Sequence, residues 1–411
     1  MNEVNQLWKT LTREQIKTRV FDAIGRTLDF YASPPLGLPG SSLDPQVFCG
    51  DAPFLRDAPF MSAMIRNMNH IGCHTFGESE PHFPGTHEIE REVVRICAEE
   101  IFLGQPDAHD GYIASGGTEA NIEAVWIYRN FFQTEHGADA SEIAVLSSAD
   151  AHYSIPKACN LLALRHVSVP VDERTRELDP DALGSTIREG QAEAVKYWIV
   201  VANLGTTMFG SVDSCEMLTD ALIAAGDPFK LHIDAAFGGF VYPFTGDTTA
   251  LSFANPRVDS IALDAHKVVQ APYGTGIFLI RKGLMQHVST AEAKYVTGLD
   301  ATLIGSRSGA NAVAIWMILM TYGPDGWREK VGELIDRTDW LCGSLKEAGR
   351  QFYRHPRMNV VALRADEVSR ELASEFLLVP DVHSASPRWY KVVVMDHVTH
   401  DRLREFVGRL G

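Results

Sequence analysis

The chain has 411 residues, 45% of them hydrophobic and 22% charged, with a formal net charge of −16 and an isoelectric point near 5.4. At roughly 100 to 200 residues per domain this length supports two or three domains with a substantial core, and the negative charge disfavours nucleic acid or an anionic membrane face as a partner. Cys49, Cys73, Cys97, Cys159, Cys215 and Cys342 form no C-x-x-C pair, and no apolar run reaches the roughly 18 residues of a membrane span, so the sequence signals no disulfide framework, metal site or membrane anchor and points to a reducing cytoplasm.

The pattern predicts an amphipathic helix over 14–30, then a loop through Pro34, Pro35, Gly37, Pro39 and Gly40. Residues 1–50 are too few to fold alone and are expected to wrap over the main body or a partner subunit. Over 86–102, Ile89, Val93, Cys97 and Ile101 recur on a four-residue step, with Glu88 and Glu90 in the first turn and Gly104 beyond the end, which predicts a helix. Strand candidates over 143–146, 166–169, 198–202, 230–233, 261–263 and 276–280 alternate with helices. Asp179-Pro180, and Asp213 with Glu216, are expected helix starts. Such alternation predicts an α/β fold with a mostly parallel sheet covered by helices on both faces. Beyond about residue 285, helices over 310–322 and 327–348, strands over 359–363 and 390–394, and a last helix ending near Leu410 predict a smaller α+β domain. The expected organisation is an N-terminal segment over 1–50, a large domain over 51–285 and a small domain over 286–411.

Chemistry concentrates at the ends of the predicted strands. Asp264-Ala265-His266-Lys267 follows the apolar run 260–263. A lysine at the end of a buried strand lies where open α/β sheets place ligands, and partial desolvation there favours the neutral, nucleophilic amine. Thirty-three positions upstream, Asp234-Ala235-Ala236 ends another strand; a carboxylate there suits the ring nitrogen of a pyridine cofactor, and Ala236 lets a flat ring approach the backbone. Ala114-Ser115-Gly116-Gly117-Thr118-Glu119-Ala120-Asn121 runs into a helix, so backbone N–H groups and the Thr118 hydroxyl can hold a phosphate. It is neither a G-x-G-x-x-G fingerprint nor a P-loop. His152 can stack on a ring and move a proton, and Asn203-Leu204-Gly205-Thr206-Thr207 offers hydroxyls at a strand end. Each segment alone also reads as an ordinary turn or cap; together, at successive strand ends, they can surround one ligand.

On these motifs the chain resembles the group II pyridoxal-5′-phosphate (PLP)-dependent amino acid decarboxylases of the aspartate aminotransferase-like fold, fold type I, from about residue 65 to the C-terminus. The compact members, such as the plant-type serine and histidine decarboxylases and the archaeal tyrosine/aspartate decarboxylases, are closest in style. The resemblance implies that Lys267 forms the internal aldimine and that Asp234 pairs with the pyridinium nitrogen. It also implies that Ala236 and His152 sandwich the ring, that Gly117, Thr118 and His266 surround the phosphate, and that Thr206 or Thr207 lies near the ring hydroxyl. Ile304-Gly305-Ser306-Arg307-Ser308-Gly309 matches the family segment whose arginine is associated with the substrate carboxylate. Tyr295 matches a loop tyrosine that donates a proton across a dimer interface, and a homodimer is implied with it. At Cys73-His74-Thr75 the sequence departs from the family's Gly-Asp-Pro-Phe segment beside the substrate, which makes His74 a substrate-binding candidate and leaves the amino acid open. The expected reaction is decarboxylation of an L-amino acid to its amine; another PLP-dependent lyase, an aldehyde-forming oxidative decarboxylase and a non-catalytic PLP-binding regulator are the alternatives.

Overall fold

Where each predicted run starts and stops is decided by backbone hydrogen bonds that the sequence does not display. A computed structural model describes residues 6–32, 35–38, 41–297 and 299–410, so Pro34, Pro39 and Gly40 of the expected loop lie outside the described residues. The chain divides into two compact units, one of Met1–Ala140 and Leu251–Trp327, the other of Ser141–Ala250 and Arg328–Gly411.

In the first unit, Thr12 and Gln15 form a reciprocal capping box at the start of helix Arg13–Gly25, which buries Ile16, Val20, Ala23 and Ile24. The helix was expected to reach residue 30. It stops at Gly25, and the Leu28 N–H, donated to the His82 carbonyl at 2.7 Å, leads the chain away. Ahead of it, Trp8 is buried and donates its indole N–H to the Leu319 carbonyl at 2.7 Å, so the N-terminal segment lies on the body of its own unit. The helix expected over 86–102 runs from Pro84 to Arg95 and continues as a π-wound turn, Ile96–Ile101, in which the Phe102 N–H reaches back to the Cys97 carbonyl.

Numbered in chain order, the strands of this unit are β1 (Asn69–Ile71), β2 (His109–Ala114), β7 (Val258–Asp264), β8 (Gly276–Arg281) and β9 (Ser306–Ser308). The second unit holds β3 (Ile143–Ser148), β4 (Arg165–Val169), β5 (Tyr197–Asn203), β6 (Phe229–Asp234), β10 (Phe352–Tyr353), β11 (Val360–Arg364), β12 (Val379–Pro380) and β13 (Trp389–Val393). β8 runs antiparallel to both β2 and β7, and β1 pairs antiparallel with β9. β2 is fully buried although it opens His109-Asp110-Gly111, a polar start that hides it from any apolar-run criterion.

The second unit carries the parallel ladder β6-β5-β3-β4. Its connecting helices begin as their caps dictate. Asp179 accepts from the N–H groups of Asp181 and Ala182, with Pro180 in the first turn. Ser214, and not Asp213, caps Cys215–Ala225, because the Asp213 carboxylate is turned back to Asn203. Helix Gly309–Glu347 is interrupted at Gly323 (φ 61°, ψ −176°) just before Pro324, the break predicted between 322 and 327. An antiparallel sheet in the order β10-β11-β13-β12 completes this unit, its core including Leu341, Leu345, Val361, Leu363 and Phe406.

His109 is buried on β2 against Phe253, and burial, with Arg281 adding, lowers its pKa to about 4. A folded-state value below the unfolded one means that the unfolded chain binds more protons under about pH 6.5, so the stability contributed by neutral His109 is complete above that pH and is lost as pH falls toward 4. In urea titrations from pH 7 to pH 4, His109→Phe is expected to lose less stability than the parent protein, by on the order of 2–3 kcal/mol at pH 4.

Candidate active site

β7 ends at Asp264, and the chain turns through Ala265 and His266 to Lys267. Asp264 is buried, and its two oxygens do different work. Oδ2 lies 3.0 Å from the Lys267 ammonium, whose side chain stays 35% exposed, while Oδ1 accepts the Gly117 N–H at 2.6 Å. One carboxylate therefore ties the lysine to the start of helix Gly117–His136. That helix start has no side-chain cap on Gly116, although Glu119 takes the Ser115 N–H at 2.7 Å. A β-carbon on Gly276 would sit 2.5 Å from the Gly116 α-carbon, so the two backbones touch only because residue 276 is glycine. His266 lies 3.6 Å from Asp264 through Nε2; burial lowers its pKa and Asp264 offsets part of the shift. Its Nδ1 is buried with no hydrogen-bond partner among the described residues.

A second cluster in the same unit gathers residues that sequence reasoning scattered or missed. Glu90, on the helix Pro84–Arg95, is fully buried; Oε1 accepts from Arg307 at 2.6 Å and from the Ile113 N–H at 2.8 Å, and Oε2 lies 2.5 Å from His70 Nδ1 and 3.2 Å from His74 Nε2. Burial alone would raise its pKa, but Arg307, His70 and His74 outweigh that and hold the carboxyl well below the usual range. Arg307 also donates to the carbonyls of Ile113 and Gly72, and its guanidinium lies 4.9 Å over the Tyr112 ring. Burial pushes the His70, His74 and His87 rings toward the neutral form, His87 to about 2. His82, by contrast, is half-buried. The available signals were His70 and His74 four residues apart, and His87 and Glu90 three apart on one helix face. Tyr295 stands 89% exposed.

In the second unit the remaining candidates line the carboxyl ends of three adjacent strands. Asp234 closes β6 and sits in register opposite Asn203, the end of β5; it is 7% exposed and accepts the Ala236 N–H at 3.1 Å. Asn203 donates to Asp213 at 2.7 Å and to Ser148, the end of β3, at 3.0 Å. Burial raises the Asp213 carboxyl to about 6. Beyond β5, the Thr206 hydroxyl is paired with that of Ser211 at 2.6 Å, whereas Thr207 is exposed. His152, four residues past β3, places Nδ1 2.9 Å from the Ser154 hydroxyl and accepts the Ser154 N–H at 3.3 Å.

Residues 52–364 match the family described as the pyridoxal-dependent decarboxylase conserved domain. The chain belongs to this family. Among curated relatives of this pyridoxal-dependent decarboxylase, a tryptophan decarboxylase of Clostridium sporogenes is 43% identical over 402 residues, covering 98% of this chain and 96% of the relative. A probable L-tyrosine/L-aspartate decarboxylase of Methanocella arvoryzae is 32% identical over 370 residues, covering 86% and 94%. Among solved structures, L-methionine decarboxylase from Streptomyces sp. 590 aligns with a TM-score of 0.69 at 21% identity over 90% of this chain and 89% of that one. The fold is therefore fold type I, PLP is the cofactor, and amino acid decarboxylation is the reaction. The structure of the decarboxylase fits a phosphorylated pyridine aldehyde: a primary amine at a strand end, a helix start without a side-chain cap where two glycine backbones meet, and the unpaired His266 Nδ1 beside them.

Asp264→Ala removes both restraints at once, and PLP titration followed by absorbance is expected to show at least about tenfold weaker cofactor binding, in the range of a lost charged hydrogen bond. Glu90→Ala strands the Arg307 charge in the interior; denaturant unfolding is expected to show about 3–5 kcal/mol lower stability.

Proposed function

We propose that this decarboxylase acts on an aromatic L-amino acid, L-tryptophan foremost, with Lys267 as the amine that carries the cofactor. The observation that supports Lys267 is its position: it is a half-exposed amine held at 3.0 Å by a buried carboxylate that also takes a helix-start N–H. Support for the substrate comes from the tryptophan decarboxylase relative, whose 43% identity extends over 98% of this chain. When bound, PLP supplies an electron sink for the electron pair left as carbon dioxide departs.

The chain's own residues orient and neutralise. Asp264 keeps the Lys267 nitrogen at the strand end and takes the Gly117 N–H, so Thr118 and His266 are the residues that would offer donors to the phosphate. Asp234 is the residue that would keep the ring nitrogen protonated, and Ala236 and His152 are those that would flank the ring. Because His152 Nδ1 accepts a backbone N–H, its neutral ring carries the proton on Nε2. With Thr206 closed on Ser211, the Thr207 hydroxyl is the freer partner for the ring oxygen. Arg307 is committed to Glu90 and two carbonyls, so we read it as a positioning residue that fixes the wall around Glu90. Tyr295, being exposed in its own chain, is assigned to proton donation in the partner subunit of a homodimer. Exposed Val47, Phe48, Phe54 and Met61 supply an apolar surface for that dimer. No helix of the described residues is long and apolar enough to cross a membrane, and a cytoplasmic dimer is the form we propose.

The test is carbon dioxide release from PLP-loaded protein across a panel of L-amino acids, with the product identified by chromatography. L-Tryptophan is expected to give the highest kcat/KM and tryptamine the product, and Lys267→Ala to lose both the yellow absorbance and, by about 10³-fold or more, turnover. Release from aspartate alone, or an aldehyde product, overturns the substrate or reaction assignment; an absorbance retained in Lys267→Ala overturns the lysine.

A further inference from the structure

Three imidazoles meet in the interior of the first unit: His70 from β1, His74 from the turn beyond it, and His87 from the first turn of the helix Pro84–Arg95. One ring nitrogen from each lies within 4.8 Å of the other two. The His74 and His87 rings stack at 3.7 Å with 22° between their planes, and His70 stands edge-on to them at 4.8 and 4.6 Å. Both are buried, and none of their four ring nitrogens makes a hydrogen bond among the described residues. Apart from the 3.2 Å approach of His74 Nε2 to Glu90, two neutral imidazoles in that state leave their donors and acceptors unmet, a condition that buried polar groups rarely tolerate.

We propose that His70, His74 and His87, with Glu90 beside them, bind a divalent transition-metal ion of the Zn2+ class. Three imidazoles with a water are donors of the kind that hold Zn2+, Co2+ or Ni2+, whereas Mg2+ and Ca2+ take sets of oxygens. Zinc–nitrogen bonds of roughly 2.0–2.1 Å require the nitrogens to draw in from their present spread of up to 4.8 Å. His70 can contribute Nε2, which now faces the Thr86 hydroxyl at 2.9 Å, because that hydroxyl has the Phe83 carbonyl at 3.3 Å as another acceptor. Its Nδ1–H then donates to Glu90, the carboxylate behind a metal-bound histidine that fixes ring orientation. Glu90 thus stays outside the metal's own shell, Oε2 behind His70 and 3.2 Å from His74 Nε2 with Arg307 on Oε1, and a water completes the set. Such an ion would cross-link β1, the turn after it and the following helix without touching Lys267.

The test uses the full-length, PLP-loaded protein, stripped with a chelator and then titrated with Zn2+ by calorimetry and with Co2+ by absorption spectroscopy. One equivalent per chain, a rise in Tm on adding Zn2+, and visible Co2+ bands of a nitrogen-ligated site are expected. In the double variant His74→Gln/His87→Gln, with circular dichroism and the PLP absorbance as checks on folding, affinity is expected to fall at least about 100-fold, the loss of two ligands. Should that variant not fold, X-ray absorption on the zinc-loaded parent decides: three imidazole nitrogens support the site, and a shell of oxygens or thiolates overturns it. Absence of stoichiometric binding in the parent, which leaves buried water to satisfy the rings, overturns it too. So does binding unchanged in the folded variant.

Discussion

Asp264 is the constraint on which the site in the first unit rests. A carboxylate buried at the end of β7 would be costly without partners, and it has two of unlike kind, an ammonium three residues on and a backbone N–H at the start of a helix far along the chain. Because both bonds go to one rigid, planar group, the lysine and the helix start are held in fixed relation. Gly276 follows from the same requirement, since the helix start at Gly116 can approach the strand this closely only where residue 276 carries no β-carbon. Electrostatics thus selects the position, and sterics dictates which residues may surround it.

Glu90 plays a comparable part a short way off, at higher stakes. It collects an arginine, a backbone N–H and two histidines in a dry interior. Such a network is tolerable only when nearly complete, since the low dielectric that strengthens each contact also penalises any group left out. Among the described residues the Arg307 Nε and the ring nitrogens of the stacked pair His74 and His87 make no hydrogen bond, and the stacked pair is what the proposed ligand site rests on.

In the second unit the equivalent work is done by hydrogen bonds from backbone and amide donors, not by ion pairs. Asn203 joins the ends of β3 and β5 through Ser148 and Asp213, and Asp234 is set by its parallel register opposite Asn203. The residues proposed to face the cofactor ring therefore project from strand ends that are already locked, and the ordering cost of building the site is met by the fold before any ligand arrives.

Sequence alone determined the α/β class and the strands that end at Asp264, Asp234 and Asn203, because apolar runs closed by small or polar residues are local patterns, and it placed the proposed lysine just past one of those ends. β2 escaped notice behind its polar opening, and Asp213 was misread as a cap because its true partner, Asn203, lies ten residues upstream on another element. Tertiary structure alone decided that Arg307 pairs with Glu90 across 217 residues, that β8 runs against its neighbours, and that three histidines share one interior space. These are long-range pairings between buried groups, fixed by which surfaces the fold brings together and by the cost of leaving a charge unpaired, and neither quantity has any periodicity along the chain.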